Sequence, residues 1–70
     1  MDKELRRLIE KRQERAERLA NNVKHAGQQS MIFQHTRDEQ YKEQALENQA
    51  WAKEDLQAIR KLDRKIRNYS

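Results

Sequence analysis

Apolar residues recur along the chain at alternating steps of four and three, in two long stretches. In the first stretch the repeat passes through positions 5, 9, 12, 16, 19, 23 and 26. In the second it passes through positions 41, 45, 48, 52, 55, 59, 62, 66 and 69. This spacing is the heptad pattern of helices that pack along a seam. The pattern therefore predicts two helices, each with one packing face.

Capping signals predict where these helices begin and end. Asp2 precedes the first repeat and is a residue type that caps helix starts. Gly27 is the only glycine, and glycine commonly closes a helix in the left-handed conformation. Thr36 is followed three positions later by Glu39, which is the spacing of a capping box. The signals indicate that the first helix ends near Gly27 and the second starts near Thr36.

Composition favours helix throughout. Proline is absent, glycine occurs once, and helix-forming residues dominate. We therefore predict an all-α chain with a single domain: helix 1 over about residues 3–26, a turn over 27–35 and helix 2 over 36–69. The alternative is one continuous rod of about 105 Å, at about 1.5 Å per residue, if the middle stretch stays helical.

A chain of 70 residues that is 34% apolar cannot bury a large core alone. Cysteine is absent, which excludes disulfides and thiolate metal sites. In the predicted hairpin, the end of helix 2 also extends past helix 1 and lacks a cover. We expect antiparallel hairpins that self-associate into a coiled-coil-like dimer or four-helix bundle. The residues assigned to this oligomer seam are Leu5, Ile9, Leu19, Val23, Tyr41, Ile59, Leu62, Ile66 and Tyr69.

Two charged residues interrupt the apolar repeats. Arg12 lies in the first repeat and Asp55 in the second. In a hairpin that turns at 27–35, residue 12 lies opposite roughly residues 50 to 55. Arg12 and Asp55 are therefore predicted to pair and to penalise wrong registers. The alternative is that Arg12 extends to solvent and that Asp55 lies at the edge of the seam.

Charge is segregated along the chain. Charged residues make up 40% of the sequence, and the net charge is +4. Residues 1–35 carry net +3, residues 36–58 net −3 and residues 59–70 net +4. Clustered cations can bind nucleic-acid phosphates, although no known nucleic-acid-binding motif is recognisable. The candidate nucleic-acid contacts are Arg7, Lys11, Arg15, Arg18, Arg60, Lys61, Arg64, Lys65 and Arg67.

Four large apolar residues are candidate anchors for a protein partner, because such residues are favoured at binding hot spots. They are Met31, Ile32, Phe33 and Trp51. The alternative is that Met31, Ile32 and Phe33 cover the end of the hairpin core and that Trp51 is a core residue.

The sequence offers little for catalysis. It contains no cysteine nucleophile, no glycine-rich phosphate loop and no Ser–His–Asp spacing, so neither enzymatic activity nor a cofactor or metal is expected. No stretch reads as a membrane span, and the narrow apolar faces disfavour membrane binding. We expect a cytoplasmic interaction or regulatory protein that oligomerises through its seams and docks a protein partner by a helix face. The alternatives are a nucleic-acid-binding accessory protein and a structural coiled-coil rod.

Overall fold

The computed structural model describes residues 2–69 as two antiparallel helices. Helix α1 spans Lys3–Thr36 and helix α2 spans Glu39–Tyr69. The molecule measures 51 × 15 × 12 Å, and 51 Å is the length of one 34-residue helix. The predicted all-α hairpin is therefore confirmed, and the continuous rod is wrong.

The first helix ends ten residues later than predicted, at Thr36 instead of residue 26, and the turn is confined to Arg37 and Asp38. Gly27 is inside α1 and has no positive φ, so it does not close the helix. The helix ends instead at Arg37, which has φ 61° and ψ 20° and donates its backbone N–H to the Phe33 carbonyl over 2.7 Å. The predicted turn at 27–35 is wrong because those residues still pack on α2: Gln29 and Phe33 continue the packed face of α1.

The predicted capping box at Thr36 is also wrong. The Thr36 hydroxyl donates to the carbonyl four residues earlier, within the last turn of α1, over 2.9 Å. Asp38 caps α2 instead, because its carboxylate accepts from the Gln40 backbone N–H over 3.0 Å. At the other end of the chain Asp2 caps α1, as predicted.

The second apolar repeat forms the face of α2 that lies against α1. Ala45, Ala52 and Ile59 are buried on it, and Asp55 is only 1% exposed. The remaining members of the repeat are half-buried, except for Tyr69, which is exposed. These members are Tyr41, Asn48, Leu62 and Ile66. The heptad spacing thus identified this face, which packs within the chain.

On α1 the packed face is displaced by one residue from the predicted one. Leu5, Leu19 and Ala26 face α2. Between them, the residues that lie against α2 each precede a predicted residue by one position. Leu8, Arg15 and Asn22 are half-buried, whereas the predicted residues Ile9 and Val23 are exposed; the third predicted residue, Ala16, is half-buried beside Arg15. Ile9 is 40% exposed and Val23 56% exposed. Within the hairpin, therefore, Ile9 and Val23 lie outside the seam, and their contact with a second chain stays a prediction.

The cause of the displacement is Asp55. Its two carboxylate oxygens accept hydrogen bonds from Arg15 over 3.0 Å and from Asn22 over 2.9 Å. A buried carboxylate needs such partners, and α1 is oriented to supply them. Because Arg15 and Asn22 are polar, the spacing of apolar residues does not place them on the packed face of α1.

The predicted pair of Arg12 with Asp55 is wrong. Arg12 forms an ion pair with Asp63 instead, because the later turn moves residue 12 closer to the end of α2. The same register brings the two chain ends together, and the Tyr69 hydroxyl donates to the Asp2 carboxylate over 2.6 Å. The end of α2 is therefore not an overhang, and it supplies no argument for a second chain.

Candidate interaction surfaces

A polar cluster occupies the centre of the helix interface. Asp55 has both oxygens bonded, to Arg15 and to Asn22. A second polar layer nearer the turn joins the side-chain amides of Gln29, Gln44 and Asn48 over 3.1 and 2.6 Å. Within residues 2–69 no buried side-chain nitrogen or oxygen lacks a partner. The interior polar groups are thus occupied in holding the two helices together, and the surfaces available for function lie outside.

One flank of α1 carries no charge for about seven turns. Its residues follow one another at steps of four and three, as a packing face does. Val23 and Gly27 on this flank border, with Gln49 and Ala52 of α2, a shallow depression of about 320 Å³. We call this side of α1 the charge-free flank. Its members are Ile9, Gln13, Ala16, Ala20, Val23, Gly27, Ser30 and Gln34.

The end of α1 beside the turn exposes a second apolar surface. Met31 is 62% exposed, and Ile32 is also exposed. We call this surface the tip patch. It surrounds a depression of about 450 Å³, and its residues are Gln28, Met31, Ile32, His35 and Thr36.

The predicted anchors separate in the structure. Met31 and Ile32 are exposed in the tip patch, whereas Phe33 is half-buried at the helix interface. The Phe33 ring lies 6.0 Å from the Arg37 guanidinium and 5.9 Å from the Lys42 ammonium, which are cation–π distances. Phe33 therefore closes the core beside the turn, as in the alternative interpretation.

A basic groove follows the open end of the hairpin on the flank opposite the charge-free one. It consists of two adjoining depressions of about 510 and 420 Å³, which share Lys11 and Lys65. Glu4 and Glu14 are its acidic residues. The cations that line the basic groove are Arg7, Lys11, Arg15, Arg18, Lys61 and Lys65.

Six of the nine predicted nucleic-acid contacts therefore meet in one groove. The other three, Arg60, Arg64 and Arg67, do not line it. Within the groove, Arg15 is neutralised by Asp55. The remaining five cations form no ion pair with any residue between 2 and 69. Their charge is consequently free to act on a ligand.

Two aromatic residues extend the line of the groove along α2. Trp51 is 47% exposed and precedes Ala58 and Lys65, two groove residues, by seven and fourteen positions. Residues seven apart lie on nearly the same side of a helix. Tyr69 lines the opposite end of the groove. Trp51 was predicted to anchor a protein partner, although its spacing of seven from Ala58 already places it on the basic side of α2.

The contact between Tyr69 and Asp2 changes the titration of both groups. Its hydrogen bond to Asp2 is the main factor that raises the pKa of Tyr69 to about 12. The same hydrogen bond is the main factor that lowers the pKa of Asp2 from its usual value. At neutral pH Asp2 is therefore ionised and Tyr69 protonated, which are the acceptor and donor states that this hydrogen bond between residues 2 and 69 requires.

Two other kinds of site are absent from the described residues. Between residues 2 and 69 no three His, Cys, Asp or Glu side chains are grouped as metal ligands would be. Neither α1 nor α2 contains a stretch apolar enough to cross a membrane. Comparison of the chain with protein families, with characterised proteins and with solved structures finds no match.

Proposed function

We propose that the protein is a small non-enzymatic interaction protein in which two hairpins pack through their charge-free flanks and present their tip patches to a protein partner. The observation that carries the proposal is the absence of charge along that flank of α1, in a chain that is 40% charged. A solvated helix face has no physical reason to avoid charge over such a length.

The surface area of a single hairpin supports a second copy as the occupant of the flank. The accessible surface is 5917 Å², against about 4,700 Å² for a compact monomer of 8.6 kDa. The excess of about 1,200 Å² exceeds the roughly 800 Å² that each partner buries in a standard interface. The radius of gyration, 15.9 Å against about 11 Å for a compact chain of this length, reflects the same lack of cover.

The small residues of the flank suit a helix-to-helix contact. Ala16, Ala20 and Gly27 allow a second helix to approach closely, while Ile9 and Val23 supply apolar area. Pairing α1 with α1 of the other copy around a two-fold axis makes the same patch meet itself. The product is a four-helix bundle, in which Gln49 and Ala52 of α2 lie beside the contact because they border the same depression as Val23.

The test is the mass of the purified chain by sedimentation equilibrium over a range of concentrations. We expect the wild type to reach the mass of two chains and Val23→Glu to remain a monomer with unchanged helical circular dichroism. Met31→Glu is the matched control, since Met31 is equally exposed but lies in the tip patch. A wild type that stays monomeric at high concentration contradicts the proposal.

The tip patch is tested separately. The hairpin is immobilised, and proteins from a lysate of the source cell are passed over wild type, Lys24→Glu and Met31→Glu. A protein that binds the first two but not Met31→Glu is then purified and titrated against the hairpin. Binding of the purified pair that Met31→Glu weakens at least tenfold supports docking at the tip patch. Equal retention by all three variants contradicts it.

A further inference from the structure

We infer that the basic groove, together with Trp51, binds a single-stranded nucleic acid. This function is additional to the proposed one, because the groove and the charge-free flank lie on opposite sides of the hairpin. Cations from distant parts of the sequence meet in the groove. Lys11 on α1 and Lys65 on α2 are separated by more than fifty positions in the sequence, yet both border each of the two depressions of the groove.

Most cations of the groove are not neutralised by an acidic residue. Five cations of the groove have no ion pair within residues 2–69, and Glu4 and Glu14 are the acidic residues that line it. A cleft lined mainly by one sign of charge concentrates its potential and attracts a polyanion. The open half of the hairpin, residues 1–19 and 55–70, carries twelve basic and seven acidic residues and so has a net charge of +5. The other half has a net charge of −1.

An aromatic residue, Trp51, lies on α2 beyond the end of the basic groove. Trp51 is exposed although it is the largest apolar side chain of the protein. A positively charged groove that follows a backbone, combined with an aromatic face on which a base stacks, is the arrangement that binds single strands without sequence preference. The groove therefore supplies phosphate contacts, and Trp51 supplies a stacking surface.

Other polyanions fit the groove less well. Bases in a duplex are already stacked and leave no free face for Trp51. A membrane-bound helix inserts a continuous apolar face, whereas Leu8 and Leu62 in the groove are half-buried against the other helix. An acidic protein would satisfy the cations, but it would need one particular side chain placed over Trp51, whereas every base of a single strand has a face that stacks.

The experiment follows the fluorescence of Trp51, the only tryptophan, while an oligonucleotide of about 16 nucleotides is added. We expect quenching by single-stranded DNA or RNA and much weaker binding of the corresponding duplex. Five phosphate contacts predict a slope of about −3.5 for log affinity against log salt. The affinity should therefore fall about 100-fold between about 50 and 200 mM salt.

Two matched pairs of substitutions test the groove. Lys11→Gln with Lys65→Gln removes two groove charges and should flatten the salt slope by about 1.4. Lys24→Gln with Lys53→Gln removes the same charge from exposed positions outside the groove and should leave the slope unchanged. Circular dichroism melting confirms that both variants are folded.

Stacking is tested at Trp51 itself, with binding measured by the anisotropy of a labelled oligonucleotide. Trp51→Ala should weaken binding about tenfold, and Trp51→Phe, which keeps an aromatic face, should restore most of it. The inference is overturned by any of three results: no binding at about 50 mM salt, equal binding of duplex with no effect of Trp51→Ala, or preference for phosphatidylserine vesicles over oligonucleotides. Val23→Glu should bind the oligonucleotide as well per hairpin as wild type, so failure of the dimer is distinguishable from failure of the groove.

Discussion

The two halves of the hairpin are built differently. In the open half, large side chains such as Leu19 and Ile59 pack between the helices, and Asp55 and Asp63 form ion pairs across them. In the half beside the turn, the buried apolar residues are three alanines, Ala26, Ala45 and Ala52, and a layer of amides replaces the ion pairs.

The half that contributes most to stability therefore differs from the half that exposes most apolar surface to a partner. Burying a large apolar side chain contributes more than burying alanine, so the open half should hold most of the free energy of folding. Of the described residues, the half beside the turn exposes five large apolar side chains and the open half three: Val23, Met31, Ile32, Leu46 and Trp51 in the first, and Ile9, Leu56 and Tyr69 in the second. The less stable half is accordingly the one that gains most from a partner.

The largest expected effect is that of Ile59→Ala in the open half. Ile59 is the largest buried apolar side chain, and its truncation should lower the free energy of unfolding by about 3 kcal/mol. Phe33→Ala, in the half beside the turn, should cost less, because Phe33 is only half-buried. Chemical denaturation measures both, and an equal loss for the two variants would contradict the unequal distribution of stability.

The next effect in size distinguishes the two ion pairs of the open half. Asp55→Ala should cost about 2 kcal/mol, because it leaves Asn22 and Arg15 without their acceptor in the interface. Asp63→Ala should cost less than about 1 kcal/mol, since its pair with Arg12 is solvent-exposed and screened. Urea denaturation of the two variants side by side tests this order, and a reversed order would place the register-setting contact at Asp63.

A substitution in the half beside the turn should stabilise the protein. Gly27 lies inside α1, and a Cβ added to it would meet nothing within 4 Å. Gly27→Ala should therefore raise the free energy of unfolding of the hairpin by about 1 kcal/mol, through helix propensity. The measurement is a thermal melt at low protein concentration. A loss of stability that grows with concentration would instead indicate that a second helix packs against the bare backbone of Gly27.

The smallest effect concerns the chain ends, where stability should depend on pH at both extremes. Asp2 has a lowered pKa when folded, so its contribution is present above about pH 4 and is lost as pH falls through the folded value. Tyr69 has a raised pKa, so its contribution is present below about pH 10 and is lost as pH rises through about 12. Ultraviolet titration of the tyrosines should show the pKa of Tyr69 moving toward 10 in Asp2→Ala. An unchanged titration would mean that the hydrogen bond does not form in solution.

Local signals in the sequence predicted some elements correctly and misplaced others. The repeat that contains Ala45, Ala52 and Ile59 identified the packed face of α2, because those apolar residues outnumber its polar members. The cap at Asp2 was equally local. Gly27 was misleading because a glycine permits a helix to end without requiring it, and the packing of Phe33 on α2 makes continuation more favourable.

The candidate surfaces were predicted only in part. The cations of the basic groove could be named from the sequence. That Lys11 and Lys65 border the same groove follows only from the register of α1 against α2. That register depends on the turn at Arg37 and Asp38, which no periodicity marks. The charge-free flank was hidden for a related reason, since the repeat placed Ile9 and Val23 in one oligomer seam with Leu5 and Leu19, which face α2 within the chain.

The sequence by itself determined that this protein is helical, that it forms two helices, and which face of α2 is packed, because these properties depend on composition and on spacing within one segment. Only the tertiary structure decided which face of α1 meets α2 and which cations share a groove. The physical reason is that one buried carboxylate, Asp55, must find partners on the other helix, and the rotation that brings Arg15 and Asn22 to it places every other side chain of α1.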